Sequence, residues 1–281
     1  LHSETAKIQK IGKEASCLLS ISLVLYKSPK KQLRQTLQTL RQAVSFIPAE
    51  RLFLLILDNA SHRPYRRKKY RWHGIPTEII TGLGNLGFGK AHNLVLRHKN
   101  LGTFHLILNP DVLIEQNALK NGLKAFQKYP NMGLCAPAIL TQQDQQTHLG
   151  RNYPDLLSLA LRGFAPNWLK SVFKQHLACY EIPYKNEKKE ILKNIPCLSG
   201  SFLLMRRSIF KQLQGFDSRF FLYFEDFDFS FRALKITDTA ILPNMLIRHF
   251  GGNTSRKGLR HILFFIKSAF LFFQKHGWKW H

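Results

Sequence analysis

Two short, nearly unbroken apolar runs most narrow what this chain can become: Cys17-Leu-Leu-Ser-Ile-Ser-Leu-Val-Leu-Tyr26 and Leu52-Phe-Leu-Leu-Ile-Leu57. Runs of that length suit strands covered on both faces, the condition of a parallel sheet. Between them Leu33, Leu37, Leu40 and Val44 recur at three- and four-residue intervals, so residues 31–46 are expected to form a helix and the opening a β-α-β unit. Thr77-Glu-Ile-Ile80 reads as a third strand, 91–98 as a helix and Phe104-His-Leu-Ile-Leu108 as a fourth strand. Pro29, Pro48, Pro64, Pro76 and Pro110 fall at the joints. The fold class is therefore α/β. From 141 to 194 the periodicity is weak and Lys185-Asn-Glu-Lys-Lys-Glu190 is charged, so a mobile or variable segment is expected there.

With 281 residues and 44% hydrophobic composition, the chain can bury the core of one large domain, or of a domain with an appendage. Lys and Arg number 42 against 17 Asp and Glu, a net charge of +25, which favours an anionic membrane, nucleic acid or phosphorylated ligand as partner. Cysteines at 17, 135, 179 and 197 show neither a C-x-x-C pair nor zinc spacing, as expected of reduced thiols in a cytosolic protein. No apolar run reaches the roughly 20 residues that span a bilayer, and the basic start lacks the apolar core of a secretory signal.

In an open parallel sheet ligands bind beyond the carboxyl ends of the strands. Three polar segments stand there: Asp58-Asn59, Gly82-x-Gly84-x-x-Gly87-x-Gly89 and Asn109-Pro-Asp111. One Asp at a strand end is commonly a turn former, but two in one crevice point to a site. The glycines formally satisfy the dinucleotide-binding pattern, or else form a turn that lets backbone approach closely. A fourth segment, 220–232, sets Glu225, Asp226 and Asp228 within an aromatic run. Like charge and burial among Phe224 and Phe227 would raise the proton affinity of Asp226. The same acids also suit the first turn of a helix, with Asp228 and Arg232 an i,i+4 pair. Acids beside these aromatics would repel phosphate, so no nucleic-acid partner is expected.

Tyr26, Asp58-Asn-x-Ser61, Asn85-Leu-Gly-Phe-Gly-x-x-x-Asn93, Leu108-Asn-Pro-Asp-Val112, Gly200-Ser-Phe-Leu-Leu-Met-Arg206, Gly215-Phe-Asp217, Tyr223-Phe-Glu-Asp-Phe-Asp228 and His249 occur in that order. Together they resemble family 2 glycosyltransferases, in the branch that includes bacterial rhamnosyltransferases. The resemblance implies a GT-A fold, a Rossmann-like mixed and mostly parallel sheet flanked by helices. It also implies inverting transfer of a sugar from a nucleotide-diphosphate donor, usually with a divalent metal, Mg²⁺ or Mn²⁺. The expected domain is 1–255, with a donor-binding half at about 17–115 and an acceptor and catalytic half at about 130–255.

On that resemblance Asp226 is the catalytic base, with Glu225 and Asp228 on the acceptor side. Tyr26, Asp58, Asn59, Gly87, Gly89, Asn93, Asn109 and Asp111 would meet the donor. Asn109 replaces the first acid of the family's D-x-D element, leaving Asp111 as the carboxylate toward the metal and His249 to complete its shell. His249 is expected in a loop after the apolar 241–247. Lys27 stands where many relatives have Asn. The branch implies dTDP-L-rhamnose as donor and a growing cell-surface glycan on a lipid carrier, or an oligosaccharide, as acceptor; a UDP-sugar donor is the alternative.

The last segment, 256–281, mixes Phe265, Phe270, Phe273, Trp278 and Trp280 with Arg260, Lys267, Lys275 and Lys279. This basic aromatic helical segment would suit a membrane interface. A helix packed on the domain or at an oligomer contact is the other reading. The first predicts a cytoplasmic protein, peripheral on the inner face of the cytoplasmic membrane.

Overall fold

The computed structural model describes residues 17–60, 66–182, 190–249 and 258–280. Ser61, Gly251, Gly252, Arg256 and the charged stretch up to Lys189 therefore lie outside the described residues. The strands are β1 (Leu19–Leu25), β2 (Leu52–Asp58), β3 (Arg66–Trp72), β4 (Ile75–Thr81), β5 (Phe104–Leu108), β6 (Val112–Ile114), β7 (Met132–Leu140), β8 (Gln146–Thr147), β9 (Leu192–Lys193), β10 (Phe202–Arg206) and β11 (Asp238–His249). They form one mixed sheet in the order β3-β4-β2-β1-β5-β10-β7-β11-β6, with β8 on β7 and β9 on β11. β4, β2, β1 and β5 are mutually parallel, as are β7 and β11, while β10 runs antiparallel between β5 and β7.

Alternation along these strands sends side chains to two cores. Leu19, Ile21 and Leu23 of β1 join Leu40 of α1 (Lys30–Ala43), Val44 just beyond its end, and Leu119, Leu123 and Phe126 of α3 (Ala118–Lys128) on one face. Phe53, Leu55 and Leu57 of β2 face Ala91 of α2 (Phe88–His92), Phe210 of α7 (Arg207–Gln212) and Phe229 of α8 (Glu225–Leu234) on the other. A fully buried Phe or Leu of this kind contributes about 1.5–3 kcal/mol. This is the α/β architecture expected from the opening runs.

Three expectations differ. β3 was not anticipated, because Arg66-Arg-Lys-Lys-Tyr-Arg-Trp72 is an exposed edge strand with no apolar alternation to read. The helix expected over 91–98 is shorter and earlier, α2 followed by a 3₁₀ turn at Asn93–Val95. The weakly periodic middle contains three short helices, α4 (Leu156–Phe164), α5 (Asn167–Val172) and α6 (Lys174–Tyr180). α4 starts where the Asp155 carboxylate accepts the Ser158 N–H at 2.7 Å, an N-cap. The final helix, α9 (Leu259–His276), lays Ala269, Phe272 and Phe273 against Phe220, Phe224 and Leu159.

Candidate active site

The parallel register brings the first two strand ends together. Leu25 pairs with Asp58, and the Asn59 N–H donates to the Leu25 carbonyl at 2.8 Å, so Tyr26 and Asp58 share one rim. Tyr26 is 51% exposed and Asp58 is partly open, with Oδ1 accepting the Ala60 N–H at 3.1 Å. Both remain available to a ligand. Lys27 adopts φ +51°, a conformation Asn tolerates better than Lys.

A second cluster forms at the end of β5. The antiparallel pair β5–β10 sets Leu108 opposite Phe202, and the Asn109 N–H donates to the Ser201 carbonyl at 2.9 Å. β11 pairs antiparallel with β6, His249 opposite Val112, which carries the imidazole to the preceding residue, Asp111. His249 thus ends a strand and does not lie in a loop. Its Nε2 lies 3.3 Å from Asp111 Oδ1, without hydrogen-bond alignment, and both atoms are buried with no hydrogen-bond partner among the described residues. Two orphaned donor atoms facing each other at that range fit a shared divalent cation, one carboxylate oxygen and one imidazole nitrogen, with donor phosphates to complete the shell. Among the described residues no group of three His, Cys, Asp or Glu side chains is arranged to hold a metal.

The third cluster is the start of α8. Asp226 is anchored by two backbone donors, Gly200 N–H to Oδ2 at 2.7 Å and Phe227 N–H to Oδ1 at 2.9 Å. Gly200 immediately precedes the Ser201 that holds Asn109, so the base candidate and the Asp111 cluster hang on one turn. A Cβ at Gly200 would sit about 3 Å from both Phe88 and Asp226, leaving no slack for a larger residue. Burial raises the proton affinity of Asp226, and the backbone donors offset part of that rise. Glu225 is buried, with Oε2 unpartnered among the described residues; burial and then the Asp226 charge push its pKa well above the usual Glu value. Of the two neighbours, Glu225 is enclosed, while Asp226 is partly open to solvent and is the one an acceptor can reach.

Several residues expected to face ligand are engaged inside the protein. Asp228 is fully buried and bound by Arg232 Nε at 2.9 Å, Lys275 Nζ at 2.6 Å and His276 Nε2 at 2.8 Å, so it fastens α9 to α8 and offers nothing to an acceptor. Desolvation opposes its charge, but His276, Arg232 and Lys275 outweigh it and its pKa is lowered. Asn59 spends its amide on Asn85, Gly87 and Leu86, and Asn93 clips the N–H and carbonyl of Phe216 at 2.9 and 2.7 Å. Gly87, at φ +79°, would place a Cβ 2.2 Å from the Phe221 carbonyl oxygen, and Gly89 one 2.6 Å from the Phe216 Cβ. These glycines exist for close packing of α2 against the segment before α8, which leaves the dinucleotide pattern without its helix-terminal phosphate cradle.

Sequence reasoning assigned no role to Gly200 as an anchor of Asp226, nor to Lys275 and His276 as partners of Asp228. The Gly-Ser that opens β10 was the only local signal for the first; the others are 47 or more residues away in sequence. Tyr180 and Cys197 also lie near enough for the Asp226 charge to raise their pKa values, though burial is the larger cause.

No protein-family model matches the chain. It is 27% identical over 210 residues to an N-acetylglucosaminyl-diphospho-decaprenol L-rhamnosyltransferase of Mycobacterium tuberculosis, covering 69% of this chain and 66% of that protein. It is 24% identical over 241 residues to the low-salt glycan biosynthesis hexosyltransferase Agl10 of Haloferax volcanii, covering 84% of this chain and 66% of that one. The chain thus spans just under two thirds of the length of these relatives. The solved structure of GalNAc-T7 with UDP, GalNAc and Mn²⁺ superposes with a TM-score of 0.58 at 14% identity, over 86% of this chain and 44% of that one. The fold is that of the GT-A glycosyltransferases.

Proposed function

We propose, from the premise that the chain belongs with the family 2 glycosyltransferases of GT-A fold, that it transfers L-rhamnose from dTDP-L-rhamnose, with inversion, to a growing surface glycan on a lipid carrier. The observation that carries this reading is the shared turn at Gly200–Ser201, which holds Asp226 on one side and the Asn109–Asp111 segment with His249 on the other. Asp226 takes the proton of the acceptor hydroxyl as its oxygen attacks the anomeric carbon from the face opposite the leaving group. The bond from that carbon to the diphosphate oxygen breaks, and a nucleoside diphosphate leaves. Asp111 and His249 would hold the divalent cation, which when bound offsets negative charge on the departing diphosphate. Tyr26 and Asp58 line the rim where the nucleoside would lie.

Transfer of a hexose from a UDP-sugar is the second reading, favoured by the likeness to the haloarchaeal hexosyltransferase. A lipid-borne acceptor agrees with the decaprenol in the mycobacterial relative's name and with the net charge of +25, which would hold the protein peripherally on an anionic membrane such as the inner face of the cytoplasmic membrane. No described helix is long and apolar enough to cross a membrane.

Thermal unfolding with dTDP, UDP, GDP or NAD, each with and without Mg²⁺ or Mn²⁺, tests this directly, because a ligand of the native state raises its stability. Metal-dependent stabilisation by dTDP is expected, and Asp111→Ala and His249→Ala should each remove the metal dependence. Stabilisation by UDP alone selects the second reading; stabilisation by NAD alone sinks both.

A further inference from the structure

α9 has two faces with different occupants. On its outer face Leu259, Ile262, Leu263, Ile266 and Phe270 are exposed at helical spacing, followed by exposed Trp278 and Trp280. Arg260, Lys267 and Lys279 are exposed beside them, and residues 258–280 contain no acid. An apolar stripe with cations and terminal tryptophans complements an anionic lipid surface: rings and aliphatics enter the interface while ammonium and guanidinium groups meet phosphates.

The inner face grips the segment that carries the base. Tyr223 Oη is 2.9 Å from His261 Nδ1, Ser268 Oγ donates to the Leu222 carbonyl at 2.8 Å, and Lys275 Nζ reaches Asp217 at 2.8 Å and Asp228 at 2.6 Å. The Phe224 ring packs on Phe265 and Phe272 at 5.1 and 5.4 Å between centroids. The grip falls where the backbone needs it. Tyr223 and Phe224 both take left-handed conformations, φ +70° and +62°, immediately before Glu225 and Asp226. Such residues cost on the order of 1–3 kcal/mol each and persist only when their surroundings hold them.

We propose that the outer face of α9 docks on an anionic lipid surface and that this docking, passed through the inner face, orders residues 217–228. The role of the ordered segment rests on the transferase reading, in which Asp226 is the base. The physical link is mass action: a surface that binds only docked α9 suppresses every local opening in which α9 leaves the segment.

The test measures sedimentation with vesicles and amide hydrogen exchange together, using the whole chain. With phosphatidylglycerol–phosphatidylcholine vesicles the protein should sediment and exchange across 217–228 should slow several-fold; with phosphatidylcholine alone neither should occur. Ile262→Ser, Ile266→Ser and Phe270→Ser combined, all at exposed positions, should lose both effects. His261→Ala, which cuts one inner tie, should still sediment but show weaker protection of 217–228. Sedimentation without slower exchange in the unsubstituted protein overturns the coupling. Failure to sediment with the anionic vesicles overturns the docking, as does a dimer dispersed by the triple substitution, which would make a second copy the occupant. Neither result touches the donor-stabilisation panel, so the transferase reading stands or falls separately.

Discussion

Two carboxylates in one helical turn, Asp226 and Asp228, have had their proton affinities moved in opposite directions by their surroundings. Asp226 has raised proton affinity from burial, so the acid limb of kcat/KM should lie above the ordinary Asp value of about 4. Asp228 and Asp217 behave oppositely, their pKa values lowered in the fold. A lowered carboxylate contributes stability above its unfolded pKa and loses it as pH falls through the folded value, so acid unfolding should set in below about pH 4. Activity should therefore fail at a higher pH than the fold, a separation that a pH–rate profile and a circular-dichroism titration will check. Asp226→Asn should reduce transfer by about 10²–10⁴-fold while nucleotide binding persists. Asp228→Asn should instead destabilise by about 3–5 kcal/mol, read by denaturant midpoint, because Arg232, Lys275 and His276 would face a neutral amide.

Elements meet here through backbone contacts that side chains would block. α2 begins at Phe88, whose N–H donates to the Phe221 carbonyl at 3.1 Å, and Gly87 allows that approach. Gly87→Ala puts a side chain on a φ +79°, ψ −179° backbone, at a cost of about 1–3 kcal/mol, and a methyl at 2.2 Å from that oxygen. The expected result is a lower melting temperature together with a loss of kcat, since the displaced carbonyl lies five residues before Asp226. A fall in melting temperature with kcat unchanged would show that the contact serves folding alone. The β10–β5 pairing works the same way at longer range: one antiparallel strand delivers Gly200 and Ser201 to the end of β5, where Asn109 and Asp111 wait.

For the molecule as a whole, α9 belongs to the body of the protein as well as to its surface. Removing residues 259–281 would uncover Phe220 and Phe224 and strip Asp228 of two partners, Lys275 and His276. We expect the truncated chain to aggregate or to lose its cooperative unfolding transition, as calorimetry would show. Full solubility and an unchanged transition would contradict the packing described. Membrane attachment is therefore tested by substitution on the outer stripe and not by deletion. With +25 charge, any vesicle binding should also weaken as salt is raised from about 0.1 to 1 M and the Debye length falls from about 10 to 3 Å.

The amino-acid sequence by itself determined the α/β class, four strands with their order along the chain and the helix between the first two, because burial on both faces and helical periodicity leave local marks. It also singled out Asp58, Asp111, Asp226 and His249 as residues to inspect, and the structure puts Asp58 and His249 at the ends of strands, Asp111 in the turn between β5 and β6 and Asp226 at the start of α8. Only the tertiary structure decided what each side chain meets. Asp226 and Asp228 look alike in sequence, yet one rests on Gly200 and the other is enclosed by α9. Asn93, Gly87 and Gly89 look like ligand groups and are used in packing. Hydrogen-bond partners, desolvation and close backbone approach depend on residues tens of positions away, and no local pattern carries them.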